Sequence, residues 1–187
     1  MSPTKPNISL WQAAGFVLTT LGGTLLHFLY DWTNESVLIA PFSGVNESTW
    51  EHMKLLYFPL LIFALIQSLF FRKYENFWCI KLVGMLTGLT LIPVLFYTYN
   101  GTFGKSPDFV NIAIFFISAG LAFLLEARLF QKNRFECRSS SFAFLIICFT
   151  EALFVAFTFI PPQIPLFQDP LTGTYGLSDQ SRFRFFA

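Results

Sequence analysis

With 187 residues, the chain has room for one domain or one compact bundle. Hydrophobic residues make up 54% and charged residues 12%, half the ~25% of a soluble domain, and the mean hydropathy is +0.56. So little charge cannot cover a water-facing surface, and a net charge of +1 offers no field for nucleic acid. Soluble enzymes, nucleic-acid binders and disordered chains therefore fall away, and an integral membrane protein in a lipid bilayer remains.

Read by Asp, Glu, Lys and Arg alone, the chain divides into uncharged runs at 6–30, 55–71, 82–104 and 109–125, with a fifth at 139–168 broken by Glu151. A hydrocarbon core of ~30 Å needs about 17–25 mostly apolar residues per helix. The runs are continuous rather than alternating, which favours helices over barrel strands. The expected fold is all-α: five transmembrane helices at roughly 10–32, 50–71, 77–99, 108–130 and 139–160, forming a domain over 1–160. A Pro/Gly-rich outer tail follows over 161–187. The first run is too long for the core of a cleaved signal peptide and has no A-x-A site after it. Lys5, Arg72, Lys73, Arg128, Lys132, Arg134 and Arg138 collect on one side, which places the N-terminus in the cytoplasm and the tail outside.

Along the first helix, Gly15, Thr19, Gly23, His27 and Asp31 form an i, i+4 ridge. Small residues at this spacing admit a close neighbour, and Gly-rich faces of this kind also offer a route to oligomers. Towards the outer end the same ridge becomes ionisable at His27 and Asp31, and ionisable groups in spans are functional candidates.

The segment Ser43-Gly-Val-Asn-Glu-Ser-Thr-Trp-Glu-His-Met-Lys54 opens the second helix. Ser48 and Glu51 form an S-x-x-E capping box. With a helix beginning near Asn46, Glu47, Glu51 and Lys54 share one face, and His52 lies a quarter-turn away. Imidazole and carboxylate are ligands for a divalent, zinc-like ion, so His27, Glu47, Glu51 and His52 are the candidate metal ligands. His27, Asp31, Glu47, Glu51, His52 and Lys54 are the candidate catalytic set, with acid–base work open to the carboxylates and imidazoles. Lys54 is placed to meet an anionic substrate group. Trp50 reads as an interfacial anchor.

The third helix carries the Gly84/Gly88 ridge and Pro93, followed by Tyr97 and Tyr99 at belt depth. Lys81 and Glu126 lie near the inner ends of their helices and are expected to snorkel. Glu151, deep in the fifth helix, is expected to be protonated, because desolvation disfavours its charge. Cys79, Cys137 and Cys148 fall in spans or on the cytoplasmic side and read as unpaired structural thiols.

The strings His27-Phe-Leu-Tyr-Asp-Trp32, Val45-Asn-Glu-Ser-Thr-Trp-Glu-His-Met-Lys54, Phe77-Trp78, Pro93-Val-Leu-Phe-Tyr-Thr-Tyr-Asn-Gly101 and Pro161-Pro-Gln-Ile-Pro-Leu-Phe-Gln-Asp-Pro-Leu-Thr-Gly-Thr-Tyr-Gly176 resemble a family of small multi-pass membrane proteins of unknown function from Clostridia-like bacteria. In that family Ser-Pro usually precedes the Val-Asn-Glu stretch, where this chain has Ser43-Gly44. The resemblance implies a bacterial plasma-membrane protein and no particular activity.

Three functional classes follow from the residues. The first is an enzyme at the outer leaflet, hydrolysing or transferring groups on a lipid or wall precursor. The second is a transporter of ions or small molecules, which should show polar groups through the whole depth. The third is a binding or assembly subunit. The strongly polar residues concentrate in the outer half, which favours a one-sided site.

Overall fold

The computed structural model describes residues 6–132 and 135–177. It contains five long helices: α1 (Ile8–Trp32), α2 (Thr49–Phe70), α3 (Phe77–Phe103), α4 (Asp108–Gln131) and α5 (Ser140–Phe159). Each is long and apolar enough to cross a membrane. No strand occurs among the described residues, apart from an isolated bridge between Gln168 and Tyr175. The chain is thus the expected all-α membrane bundle. α3 runs through Pro93 and continues past Asn100 to Phe103, four residues beyond the expected end.

Each connection returns the chain at the end where the preceding helix left it, so consecutive helices run antiparallel, across short links after α2, α3 and α4 and a longer one after α1. One end of the bundle therefore gathers the C-terminal ends of α1, α3 and α5 with the start of α2. The opposite end gathers Arg72, Lys73, Arg128 and Lys132, and is called the basic end below. α3 packs most extensively on α4, α1 lies against α2 and α4, and α5 lies along α3. α2 is the central helix. Leu56, Tyr57, Leu60 and Ala64 are all buried against its neighbours, while Ile62, Leu65, Ile66 and Leu69 form an exposed apolar face. α1 is two-faced. Leu18, Leu21 and Leu25 are exposed as a lipid-facing stripe, while Gly15, Thr19 and Gly23 are buried.

Gly23 shows why that ridge is small: a Cβ there would stand 2.8 Å from the Leu55 carbonyl oxygen of α2. Gly15 packs on Phe63 and Phe123, Gly84 on Glu126, and Gly88 on Leu56 and Ala122. The glycine faces expected to serve oligomerisation are therefore used inside the chain, because close helix approach needs them there.

Two further expectations are corrected. Trp50 is buried rather than a belt residue, with ring centroids 4.5 Å from Phe154 and 4.6 Å from Phe167. The tail folds back through a 3-10 turn at Pro165–Phe167 and supplies the Phe167 ring that covers it. Cys79 and Cys137 are joined in a disulfide, with Cα atoms 6.1 Å apart. The α3–α5 packing brings the start of α3 against the segment leading into α5, a proximity that residue spacing does not reveal.

Candidate metal centre

The α1–α2 connection builds the site. Its Ser43 hydroxyl inserts into the ladder of α1: it accepts from Tyr30 N–H at 2.9 Å and donates to the Leu26 carbonyl. Those two backbone groups would otherwise pair with each other, four residues apart. Gly44 N–H also reaches Leu26 O, at 3.4 Å, a bond that proline at this position could not make. Gly44 thereby lies beside the His27 ring, where a Cβ would be 3.6 Å from Nδ1. Ser43 was not a candidate on sequence grounds, because a lone serine in a loop carries no signal until its helix partner is known.

The connection then turns into α2. Asn46 Oδ1 accepts from Ser48 N–H at 3.0 Å, and Ser48 Oγ caps the helix by accepting from Glu51 N–H at 3.4 Å. Ser48 is the N-cap as expected, but the reciprocal half of the box is absent. The Glu51 carboxylate turns instead to Val45 N–H at 3.1 Å and to Lys54 Nζ at 2.5 Å. Helix α2 begins at Thr49, so Glu47 precedes it and does not share a helical face with Glu51.

This geometry divides the six candidate residues. His27, Glu47 and His52 come together, each offering a ligand atom within 4.8 Å of the others. His27 Nε2 lies 3.7 Å from Glu47 Oε1, and His52 Nε2 lies 3.6 Å from Glu47 Oε2. Glu51 and Lys54 form a buried pair beneath them, with Lys54 Nζ also donating to Ala40 O at 2.9 Å and Thr158 Oγ1 at 3.1 Å. Lys54 is therefore committed to the scaffold and does not present its charge to a substrate, and the Glu51 carboxylate is spoken for. Asp31 is exposed and stands outside the three-residue group.

Two features of the trio bear on a cation. Ligand atoms about 2.1 Å from a tetrahedral zinc-like ion stand about 3.4 Å apart. The observed separations of 3.6 and 3.7 Å are close to that spacing and longer than a direct hydrogen bond. Secondly, His52 Nδ1 lies 3.0 Å from the Ser48 carbonyl oxygen, which only accepts, so Nδ1 carries the proton. In neutral imidazole this leaves a lone pair on Nε2, aimed at a carboxylate oxygen. Two lone pairs facing each other need a proton or a cation between them. A backbone carbonyl orienting the far nitrogen is also the usual outer support of a metal-bound histidine. The side chains are 25–42% exposed, so the trio is reachable from the end of the bundle.

At the basic end the structure contains polar chemistry that the sequence reading missed. Lys81 and Glu126 do not snorkel. Both are fully buried and pair at 2.6 Å between α3 and α4. Lys81 Nζ also lies 5.4 Å from the ring centroids of Phe63 and Phe123. The signal available in the sequence was Gly84, one turn from Lys81: a Cβ there would be 2.7 Å from the Glu126 carboxyl carbon. Strongly polar groups thus occupy both halves of the bundle. Glu151 is half-buried on α5, near the Tyr57 hydroxyl, which donates to Ile147 O at 2.5 Å.

Comparison with functionally curated proteins and with solved structures finds no match. A family of unknown function, DUF6512, matches residues 2–177. That span takes in all five helices of this chain and its folded tail, and the chain accordingly belongs to this family of unknown function.

Proposed function

We propose that this is a bacterial plasma-membrane protein with an outward-facing divalent-metal centre on His27, Glu47 and His52. The centre would serve hydrolysis or group transfer on an outer-leaflet lipid or wall precursor. The observation that carries the reading is the pairing of a tautomer-fixed His52 with a carboxylate at ion-like separation. Three protein ligands leave coordination positions open, as a metal that meets water or substrate requires. Glu51 and Lys54 hold the ligand-bearing loop through Val45 and Ala40. Asp31 lies one turn beyond His27, exposed at the same end of the bundle.

Orientation is supported by Arg72, Lys73, Arg128 and Lys132 at the far end, with Lys105 the one exposed Lys or Arg at the near end among the described residues. Cysteine placed at Phe103, which is 76% exposed, should label from outside, and cysteine at Glu75 from inside. The reverse pattern would overturn it.

The metal reading is tested on the full chain in nanodiscs. It predicts about one zinc or cobalt ion per chain, lost in His52→Ala and Glu47→Gln. Metal-dependent product release from a bacterial lipid extract, absent in Glu47→Gln, would support the enzyme. Native stoichiometry in both variants would sink the centre.

Transport is the second reading, and the buried Lys81–Glu126 pair favours it by extending polar chemistry into the other half. Metal or solute flux into proteoliposomes, abolished by changes at both ends, would select it over surface chemistry.

A further inference from the structure

Four helices each bring one polar side chain to the Lys81–Glu126 pair or its surroundings. They are Gln12 of α1, Gln67 of α2, Lys81 of α3 and Glu126 of α4. Gln12 is 4% exposed and the other three are 0% exposed. All sit within about one and a half turns of the basic end of their helices. Lys81 and Glu126 Oε2 satisfy each other. Their surroundings are not satisfied. Glu126 Oε1, both carboxamide atoms of Gln12 and both of Gln67 are buried without a well-formed hydrogen bond, the Gln12 carboxamide standing close enough to Glu126 to interact with its carboxylate. Further into the bundle, the Thr19 and Ser118 hydroxyls are buried and unpartnered too. Thr19 lies two turns from Gln12 along α1, and Ser118 lies just over two turns from Glu126 along α4, so both continue the same helix faces.

An apolar environment disfavours such atoms, because each gives up its hydrogen bonds to water without a replacement. Buried polar groups that lack protein partners are the usual hosts of internal water, which takes two to four bonds at once. No larger ligand is implied. The ammonium and carboxylate already touch, and the Phe63 and Phe123 rings lie over Nζ.

Between the pair and the basic end lies an aromatic layer of Phe71, Phe77 and Phe130, packed with Trp11 and Tyr74. Beyond that layer is an open pocket lined by Lys73, Tyr74, Asn76, Phe130 and Lys132, with a volume of about 350 Å³. Tyr74 and Phe130 belong to both the layer and the pocket wall, so the layer faces the open pocket on its outer side.

We propose that Gln12, Gln67, Lys81 and Glu126 form a second site, whose ligand is internal water drawn through this aromatic layer from the basic end. Water on Glu126 Oε1 and the two carboxamides completes their hydrogen bonding and keeps the ion pair charged inside the membrane. It also gives the Glu126 carboxylate a route for proton exchange with that side. The inference stands on residues remote from His27 and holds whether or not that centre binds metal.

The test is infrared spectroscopy of the full chain in nanodiscs, comparing H2O with D2O. The expected result is sharp O–D bands of isolated water in the native protein, lost in the Gln12→Leu/Gln67→Leu variant. Native protein without such bands, or bands unchanged in the folded variant, would overturn the site. Should the variant not fold, an experimental density map of the native chain decides. Density within hydrogen-bond distance of Glu126 Oε1 and either carboxamide supports the water. Carboxamides bonded directly to Glu126, with no density between them, overturn it.

Discussion

The bundle holds two buried lysine–glutamate pairs, and they are built differently. Lys54 and Glu51 are three residues apart on one helix, and their charged groups find further partners in Val45 N–H, Ala40 O and Thr158 Oγ1, while Asn46 Nδ2 and Trp50 Nε1 of the same segment stay unpartnered. Lys81 and Glu126 come from different helices, 45 residues apart, and are ringed by vacant polar atoms. A saturated network rigidifies what it joins, whereas a partly satisfied one retains capacity to bind. The first pair is thus a fastener beneath the His27–Glu47–His52 trio. The second is a centre in its own right.

Removing one charge should separate the two pairs most sharply. Lys81→Met leaves Glu126 buried and unpaired, and should cost about 3–5 kcal/mol in reversible detergent unfolding. Adding Glu126→Leu should recover most of that loss, because apolar side chains replace a buried pair at little cost. Lys54→Met should cost about 3 kcal/mol as well, but Glu51→Leu on top should recover little, since Val45 N–H and Ala40 O lose their partners. Equal recovery in both double variants would erase the distinction.

A smaller effect is expected at the glycines. Gly84→Ala drives a methyl into the Glu126 carboxylate and should destabilise by about 1–3 kcal/mol. Gly120→Ala, whose nearest neighbour would be a Phe16 ring atom at 3.7 Å, should stay within about 0.5 kcal/mol of the native chain.

The trio itself should contribute least to folding without metal. Glu47→Gln and His52→Ala should shift metal-free stability by less than about 0.5 kcal/mol, because the side chains are partly exposed. Both should abolish the rise in Tm that zinc gives the native chain, since an ion bound only by the folded state stabilises it. Acidification should remove the same rise: protons compete for imidazole nitrogen, so the metal contribution is present at neutral pH and lost as pH falls.

The Cys79–Cys137 bond adds a test of sidedness. With the basic end in the cytoplasm this bond would meet a reducing compartment, so thiol trapping in growing cells reads the sidedness: cysteines found reduced support a cytoplasmic basic end. A pair found oxidised in the cell would place that end outside and invert the topology.

The sequence by itself determined the membrane environment, the five spans and the end at which His27 and His52 meet. Continuous apolar runs of bilayer length admit no other backbone, and short connections fix alternate directions. It also signalled that α1 would pack closely through Gly15 and Gly23. What it left open was which polar side chains share a neighbour. Glu47, Glu51 and Lys54 read as one helical face until the N-cap at Ser48 placed Glu47 before the helix and turned Glu51 towards Val45. Lys81 and Glu126 each sit near a helix end, where a long side chain reaches headgroups as readily as a partner. Only the packing of α3 on α4, with Gly84 leaving room for a carboxylate, turned both inward. Helical periodicity is local and sets the face a residue occupies. The partner on that face belongs to another helix, and the packed bundle alone decides it.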